Sequence, residues 1–494
     1  MSWSGMGWHQ FMTFGFLILL LVSAIAICEG YNISQNQLYQ DTSLLNLGFD
    51  EYTDVLLALC EYLWIPTLPG YILLGWLADW QGRFFGLVSI SLFTIVLSPM
   101  IMWPTSVSML EAGQILVPYF GVACITWLVS LYLFEVTEAK WRGIALVGFA
   151  VIPTFASLLR ALITNSAAYT EGVDPNTGMD NWWVIVTAIP AGALLLVTCL
   201  GLCAVRRDTP ASLVNRGKAA IAYDGITAGN GTAPCTKEEF IAASPESAVE
   251  WKSIAARVAV CTMAIVAFWL VEKICINFYY YPFQEYVGNS YQFNSLKTDV
   301  LMHLAALLTV FITIGVWMKT SIRFLPGLCL AFISLGTFLL ASVYMWEMTL
   351  YEGEDSADGL PLWEPTVRNV YTDSELARIG SGLVFIYSFK NLLFALITLM
   401  VLELFPASVR GRGICFFGML SAVAENVSSF IQMQYRADEW VVYVFASVFF
   451  VCALLSLGST PLFSKSRIAR PATEVSDKAN DYIVDDKKVE IVIV

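Results

Sequence analysis

Several ionisable side chains fall inside long apolar runs of the sequence: Glu29, Glu61, Arg160, Glu272, Lys273, His303, Lys390 and Glu425. A charge at mid-bilayer costs about 2.5–3.5 kcal/mol on insertion scales, so each marks a solute site, a proton site or an internal pair. Near the end of the chain Ser421, Glu425, Ser428, Ser429 and Gln432 recur every three or four residues. They form one polar stripe on an otherwise apolar helix, and such a stripe lines water or a partner helix. Lys390 stands one turn from Tyr387, and its amine suits a solute counter-ion; the alternative is a structural Lys390–Glu425 pair. Lys273, Asn277, Tyr281 and Gln284 share another helical face, with Glu272 beside it. Tyr279, Tyr280 and Tyr281 also fit an interfacial aromatic belt. Glu61, Arg160 and His303 fall in the outer halves of their segments, where snorkelling or lining an entrance also accounts for them.

The elements that must position these groups are membrane spans. Of 494 residues, 57% are apolar and only 14% charged, well under the roughly 25% charged of soluble domains. Apolar runs near residues 10–35, 54–78, 84–103, 109–134, 143–164, 182–205, 254–281, 299–317, 324–346, 377–402, 413–434 and 440–462 each meet the roughly 20-residue length of a crossing helix. The expected fold is therefore an all-α membrane protein of twelve transmembrane helices. The first run is too long for a signal peptide and has no basic leader. With the N-terminus inside, 20 of the 27 Lys and Arg fall on cytoplasmic segments, four on outer ones and three within spans, which places both termini in the cytoplasm. The sequence divides into a first six-helix bundle over 1–205, a cytoplasmic linker over 206–253, a second bundle over 254–462 and a cytoplasmic tail over 463–494. An acidic outer loop covers 347–376. The eleven cysteines mostly sit in apolar runs and contain no Cys-x-x-Cys pair, so they read as small apolar residues. The sequons at Asn32, Asn230 and Asn426 lie in or beside spans or on the linker, where glycosylation is not expected.

Two motifs recur at equivalent places in the two halves. Glu135-Val-Thr-Glu-Ala-Lys-Trp-Arg142-Gly143 ends the fourth span and Glu403-Leu-Phe-Pro-Ala-Ser-Val-Arg410-Gly411 ends the tenth. After the second span stands Gly75-Trp-Leu-Ala-Asp79-Trp-Gln-Gly82-Arg83, and after the eighth Gly315-Val-Trp-Met-Lys319-Thr-Ser-Ile-Arg323. Two matches in one order indicate a duplicated six-helix unit, a transporter signature. The first loop motif resembles the Gly-x3-Asp-x2-Gly-Arg signature of the major facilitator superfamily. The Glu-x6-Arg-Gly pair resembles its sugar-porter branch and organic-ion relatives, the synaptic-vesicle-glycoprotein-like and niacin-transporter-like proteins. Asp208-Thr-Pro-Ala-Ser-Leu213 through Lys218 is similar to that branch's Glu-Ser-Pro-Arg-Trp-Leu segment, without its Arg and Trp. At the seventh span Glu272 and Asn277 fit part of the branch's Gln-Gln-x-x-Gly-x-Asn, while Val271 and Cys275 depart from it. Glu29-Gly30-Tyr31-Asn32 resembles both the sugar porters' Gly-Tyr-Asp and the Asp-Gly-x-Asp of aromatic-acid porters; Asn32 stands where the former has its proton-linked Asp.

The resemblance implies a major facilitator fold and secondary transport by alternating access. Asp79, Arg83, Glu135, Arg142, Glu403 and Arg410 are expected to form an inner gate of ion pairs. Lys390, Glu425, Glu272, Asn277, Tyr281 and Tyr387 are the expected solute contacts, and Glu29 and Glu425 the expected proton-coupling acids. A carboxylate in apolar surroundings holds a proton more readily than one in water, which suits that task. The expected solute is a small polar organic ion, with protons as a second partner; a sugar uniporter and a non-transporting nutrient sensor are the rivals. Loss of a Gln and gain of two charges at the seventh span count against a neutral sugar. With only His9 and His303 and no metal-spaced cluster or Gly-x-Ser-x-Gly, no enzyme, metal or cofactor is expected, and no basic, aromatic-interleaved patch suggests nucleic acid. Ile491-Val-Ile-Val494 could add a strand to a PDZ-type partner, though an unbound tail is the simpler expectation.

Overall fold

The apolar runs fold as helices because lipid offers a backbone no other partner; each N–H and C=O must be satisfied within its own segment. A computed structural model of the chain describes residues 8–40, 64–102, 115–137, 151–162, 182–205, 208–230, 251–271, 295–317, 325–343, 346–350, 363–367, 371–405, 409–434 and 439–458, with isolated positions 109, 112–113, 145, 148, 273 and 279. Every expected span contains a described helix. In the first half these are α1 (Trp8–Gln40), α2 (Trp64–Trp80), α3 (Arg83–Leu97), α4, α5 (Val151–Leu162) and α6 (Trp182–Ala204). In the second they are α7 (Trp251–Leu270), α8 (Ser295–Trp317), α9 (Leu325–Ala341), α10 (Asp373–Leu404), α11 (Arg410–Gln434) and α12 (Glu439–Gly458). α4 opens as a π turn over Ile115–Val122 and continues as α-helix over Ala123–Val136; Pro118, which has no N–H to give, sits in the widened turn. Four described stretches are long and apolar enough to cross a membrane by themselves: Met12–Glu29, Arg83–Ile101, Ile115–Val136 and Asp373–Leu404. Apolar side chains such as Ile72, Val96, Ile189 and Ile312 point outward, where lipid covers what water could not.

Within the first half α6 packs on α1 and α3, and α3 on α4. Within the second, α9 packs on α10 and α12, and α7 on α10, α11 and α12. The halves meet where α11 lies on α2 and α4, and α10 on α4. Small residues let the backbones close up, as they do between membrane helices generally. A Cβ on Gly75 of α2 would stand 2.8 Å from Cys415 Cβ and 3.2 Å from Arg412 Cα, both on α11. Between α9 and α10, Gly336 and Gly382 lie against each other's carbonyl oxygens, at 2.8 and 2.7 Å from the missing Cβ atoms.

Two parts expected to be irregular carry structure. The acidic segment between α9 and α10 holds an antiparallel ribbon, β1 (Trp346–Leu350) with β2 (Trp363–Val367), Trp346 opposite Val367. α10 then starts at a capping box in which Thr372 and Glu375 bond each other's backbone N–H. The linker opens with two short helices, Pro210–Asn215 and Ala219–Asn230. Thr209 caps the first through Ser212 N–H, with Pro210 at the first helical position.

Candidate functional site

The ends of α2 and α4, the starts of α3 and α11 and the start of the linker converge at one end of the bundle, the basic one. Glu135, with its side chain fully buried, accepts from Arg83 at 3.4 Å, from Arg410 at 3.2 Å and from Thr209 Oγ1 at 2.5 Å. Three separate stretches of chain thus hold one carboxylate, and Arg410 belongs to the other half. Asp79 pairs with Arg83 at 2.5 Å and with Arg412 Nε at 3.1 Å. Its two oxygens also accept the backbone N–H groups of Gly411 and Arg412 at 3.0 and 2.9 Å. An anion there satisfies orphan donors and meets the positive end of the α11 dipole. A Cβ on Gly411 would collide with Asp79, which accounts for glycine after the motif arginine. Asp208 does for α3 what Asp79 does for α11: its Oδ1 accepts from the N–H of Arg83 at 2.9 Å and of Phe84 at 3.2 Å. Gly82 meets Asp208 with φ 115, a conformation glycine tolerates. Arg216 ties the arrangement together by donating to Asp208 and to the Gln81 carbonyl.

Further into the bundle lies an aromatic contact between the halves. Trp127 of α4 stacks edge-on against Phe394 of α10, centroids 5.5 Å apart, and Phe268 of α7 meets Phe394 at 5.0 Å. Beyond it, Asn391 of α10 donates to Thr154 of α5 at 3.0 Å across the halves. The intramembrane charges come next. Glu29 of α1 pairs with Arg160 of α5 at 3.3 Å and accepts from Ser157 at 2.8 Å. Lys273, just past α7, pairs with Glu425 of α11 at 3.0 Å. One turn back, Trp269 Nε1 donates to Ser421 at 2.6 Å, clamping the same two segments. Lys390 lies over the Tyr387 ring at 4.7 Å, and buried His303 of α8 meets that ring's edge at 5.4 Å.

A family model described as "Sugar (and other) transporter" matches residues 19–476. The chain belongs to this family. Among curated relatives, the sugar transport protein MST5 of Oryza sativa subsp. japonica is 35% identical over 156 residues, 30% of this chain; the match spans only 28% of the relative. Among solved structures, the proton:xylose symporter XylE bound to 6-bromo-6-deoxy-D-glucose superposes with a TM-score of 0.65 at 16% identity, covering 92% of this chain and 95% of that one. The human organic anion transporter MFSD10 gives 0.55 at 12% identity, covering 92% and 99%. These likenesses establish the major facilitator fold of twelve transmembrane helices, and with it an integral multi-pass membrane protein.

For this member of the sugar (and other) transporter family, the structure brings together Asp79, Arg83, Glu135 and Arg410 as expected from their motifs. Glu403 acts on Arg410 electrostatically, while Arg142 lies outside the described residues. The alternative to a solute role for Lys390, a structural Lys390–Glu425 pair, is not what the structure shows: Glu425 pairs with Lys273, and Lys390 lies over the Tyr387 ring. Arg160 pairs with Glu29 between α5 and α1. The polar stripe of α11 faces a partner helix at Ser421, which bonds Trp269. Glu61, Glu272, Asn277, Tyr281, Gln284 and the Asn32 side chain lie outside the described residues, as does the C-terminal tail. Arg412, Asp208, Thr209 and Arg216 were not expected in the cluster. The linker's likeness to a family segment was the available signal for three of them, and the extra arginine after Gly411 for the fourth.

Proposed function

We propose that the protein is a secondary transporter that moves a small polar solute bearing charge by alternating access, with the basic end as a cytoplasmic inner gate. The observation that carries this reading is the junction around Glu135 and Asp79. It ties the two halves together at one end, through Arg410, Gly411 and Arg412. The aromatic contact of Trp127 and Phe394 backs it, so solute at the paired charges is shut off from that end. Rocking the halves apart would break those bonds together and open the same charges to the cytoplasmic end. The positive-inside distribution of Lys and Arg supports the cytoplasmic assignment.

Glu29 is the favoured proton carrier, since Arg160 and Ser157 give it partners in its ionised form. Glu29→Gln fixes the neutral shape. In proteoliposomes the variant is expected to exchange solute at a rate near wild type but to lose accumulation driven by a pH gradient. Full pH-driven accumulation by Glu29→Gln would remove Glu29 from the coupling. A facilitative uniporter is the second reading, favoured by the neutralisation of Glu29 and Glu425 within pairs; it expects no pH-driven accumulation in the unaltered protein either.

A further inference from the structure

At the basic end of the bundle a cavity of about 650 Å³ opens between the start of α7 and the start of α11, both in the second half. Ala255 and Val258 of α7 line it on one side and Phe416 of α11 on the other, with Phe405 and Val409 from the turn between α10 and α11. Gly413 leaves room for the Phe405 ring, which a Cβ there would meet at 2.4 Å. Arg412 is the one charged group among the described residues that line the cavity. Its Nε and its backbone N–H both donate to Asp79 Oδ2, at 3.1 and 2.9 Å, yet 59% of the side chain stays exposed. Among the described residues nothing accepts from its two terminal nitrogens. The Glu-x6-Arg-Gly motif does not call for this arginine: the residue after Gly143, its counterpart in the first half, is Ile144.

Arg412 stands at the threshold of the span expected over 413–434, and Ala255 at that of the span over 254–281, so the mouth of the cavity lies at headgroup depth. Its volume falls within the range of about 300–1,000 Å³ of ligand sites. Its walls, however, give hydroxyls no partner, and burying a polar group without one costs free energy; a sugar-like solute does not suit it. A free phosphate would leave the apolar walls bare. An amphiphile with an anionic head satisfies both parts. An acyl chain covers Val258 and Phe416, the latter 46% exposed, and the terminal nitrogens of Arg412 match the oxygens of a phosphate. Basic pockets between spans on the cytoplasmic side are where acidic headgroups bind. We infer that this cavity seats one anionic phospholipid of the cytoplasmic leaflet, its phosphate on Arg412 and an acyl chain along Val258 and Phe416. One guanidinium then carries the lipid phosphate and, across the halves, Asp79.

The inference takes from the proposed reading only that this end is cytoplasmic, which the labelling at Ser356 and Cys235 described below tests by itself. The full-length protein, purified and delipidated in detergent, is titrated with phosphatidylglycerol or with phosphatidylcholine of the same chains and followed by native mass spectrometry. One phosphatidylglycerol is expected to bind ahead of the rest, and phosphatidylcholine to show no such first step. Arg412→Gln should weaken that step about fivefold, equivalent to about 1 kcal/mol. Lys218→Gln, which removes an exposed cation of the linker, should leave it unchanged. Val258→Trp fills the cavity, keeps every charge in place and should abolish the step. Glycerol 3-phosphate, which carries the phosphate without chains, should not displace the lipid. Retention of the first step by Arg412→Gln or by Val258→Trp, an equal loss in Lys218→Gln, an equal first step with phosphatidylcholine, or displacement by glycerol 3-phosphate overturns the inference.

Discussion

Glu135 receives Arg83 and Thr209 from its own half of the chain and Arg410 from the other. Removing one partner of a buried pair commonly costs about 3–5 kcal/mol of stability. Arg410→Ala leaves two partners in place, so its effect should fall on the contact between halves and not on folding. The expected result is normal membrane insertion, loss of most transport and faster maleimide modification of Cys415, which is buried against α2 in the closed junction. Wild-type transport by this variant would sink the gate assignment. The junction acids and arginines were legible because each motif fixes a side chain at the end of a helix, where the matching motifs of the two halves meet. Mid-bilayer partners were not. Lys390 lies thirteen residues from Glu403 and Glu425 fifteen from Arg410, which puts both about 20 Å of helix from the cluster. Spacing along one helix gives that depth but not the rotation of one helix against another, and α7 turns Lys273 toward Glu425 first.

At the scale of elements, two pairs of close-packed helices differ in what they join. Gly75 sits between α2 and α11, which belong to different halves; Gly336 sits between α9 and α10, which belong to one. A leucine at either site has no room. Gly75→Leu is expected to hold the halves apart, leaving the melting temperature near wild type while blocking return to the closed state. Gly336→Leu is expected to lower the melting temperature and expression, since it strains a contact that no transport step releases. Thermal melts paired with solute-exchange assays check both, and a Gly75→Leu variant that exchanges normally would count against this division. Span existence was legible from apolar length alone. The ribbon was less so: Trp346-Glu-Met-Thr and Trp363-Glu-Pro-Thr repeat one Trp-Glu-x-Thr pattern, and its aromatic and β-branched residues are a strand signal that the surrounding acids obscured.

For the molecule as a whole, the distribution of Lys and Arg predicts which side each loop faces. A cysteine placed at Ser356 should react with an impermeant reagent applied outside intact cells, and native Cys235 in the linker should react only after permeabilisation; the reverse would invert the protein. Among the described residues, the linker's hold on the junction comes from Asp208, Thr209 and Arg216, all near its start. Those residues stay with the first half wherever the chain is cut beyond them. A break introduced near residue 240 therefore separates two fragments that each keep their own side of every junction bond. Co-expressed as independent polypeptides, 1–240 and 241–494 should find one another in the bilayer and recover solute exchange. The same break made before Asp208 would hand the α3 cap to the wrong fragment and should reassemble poorly.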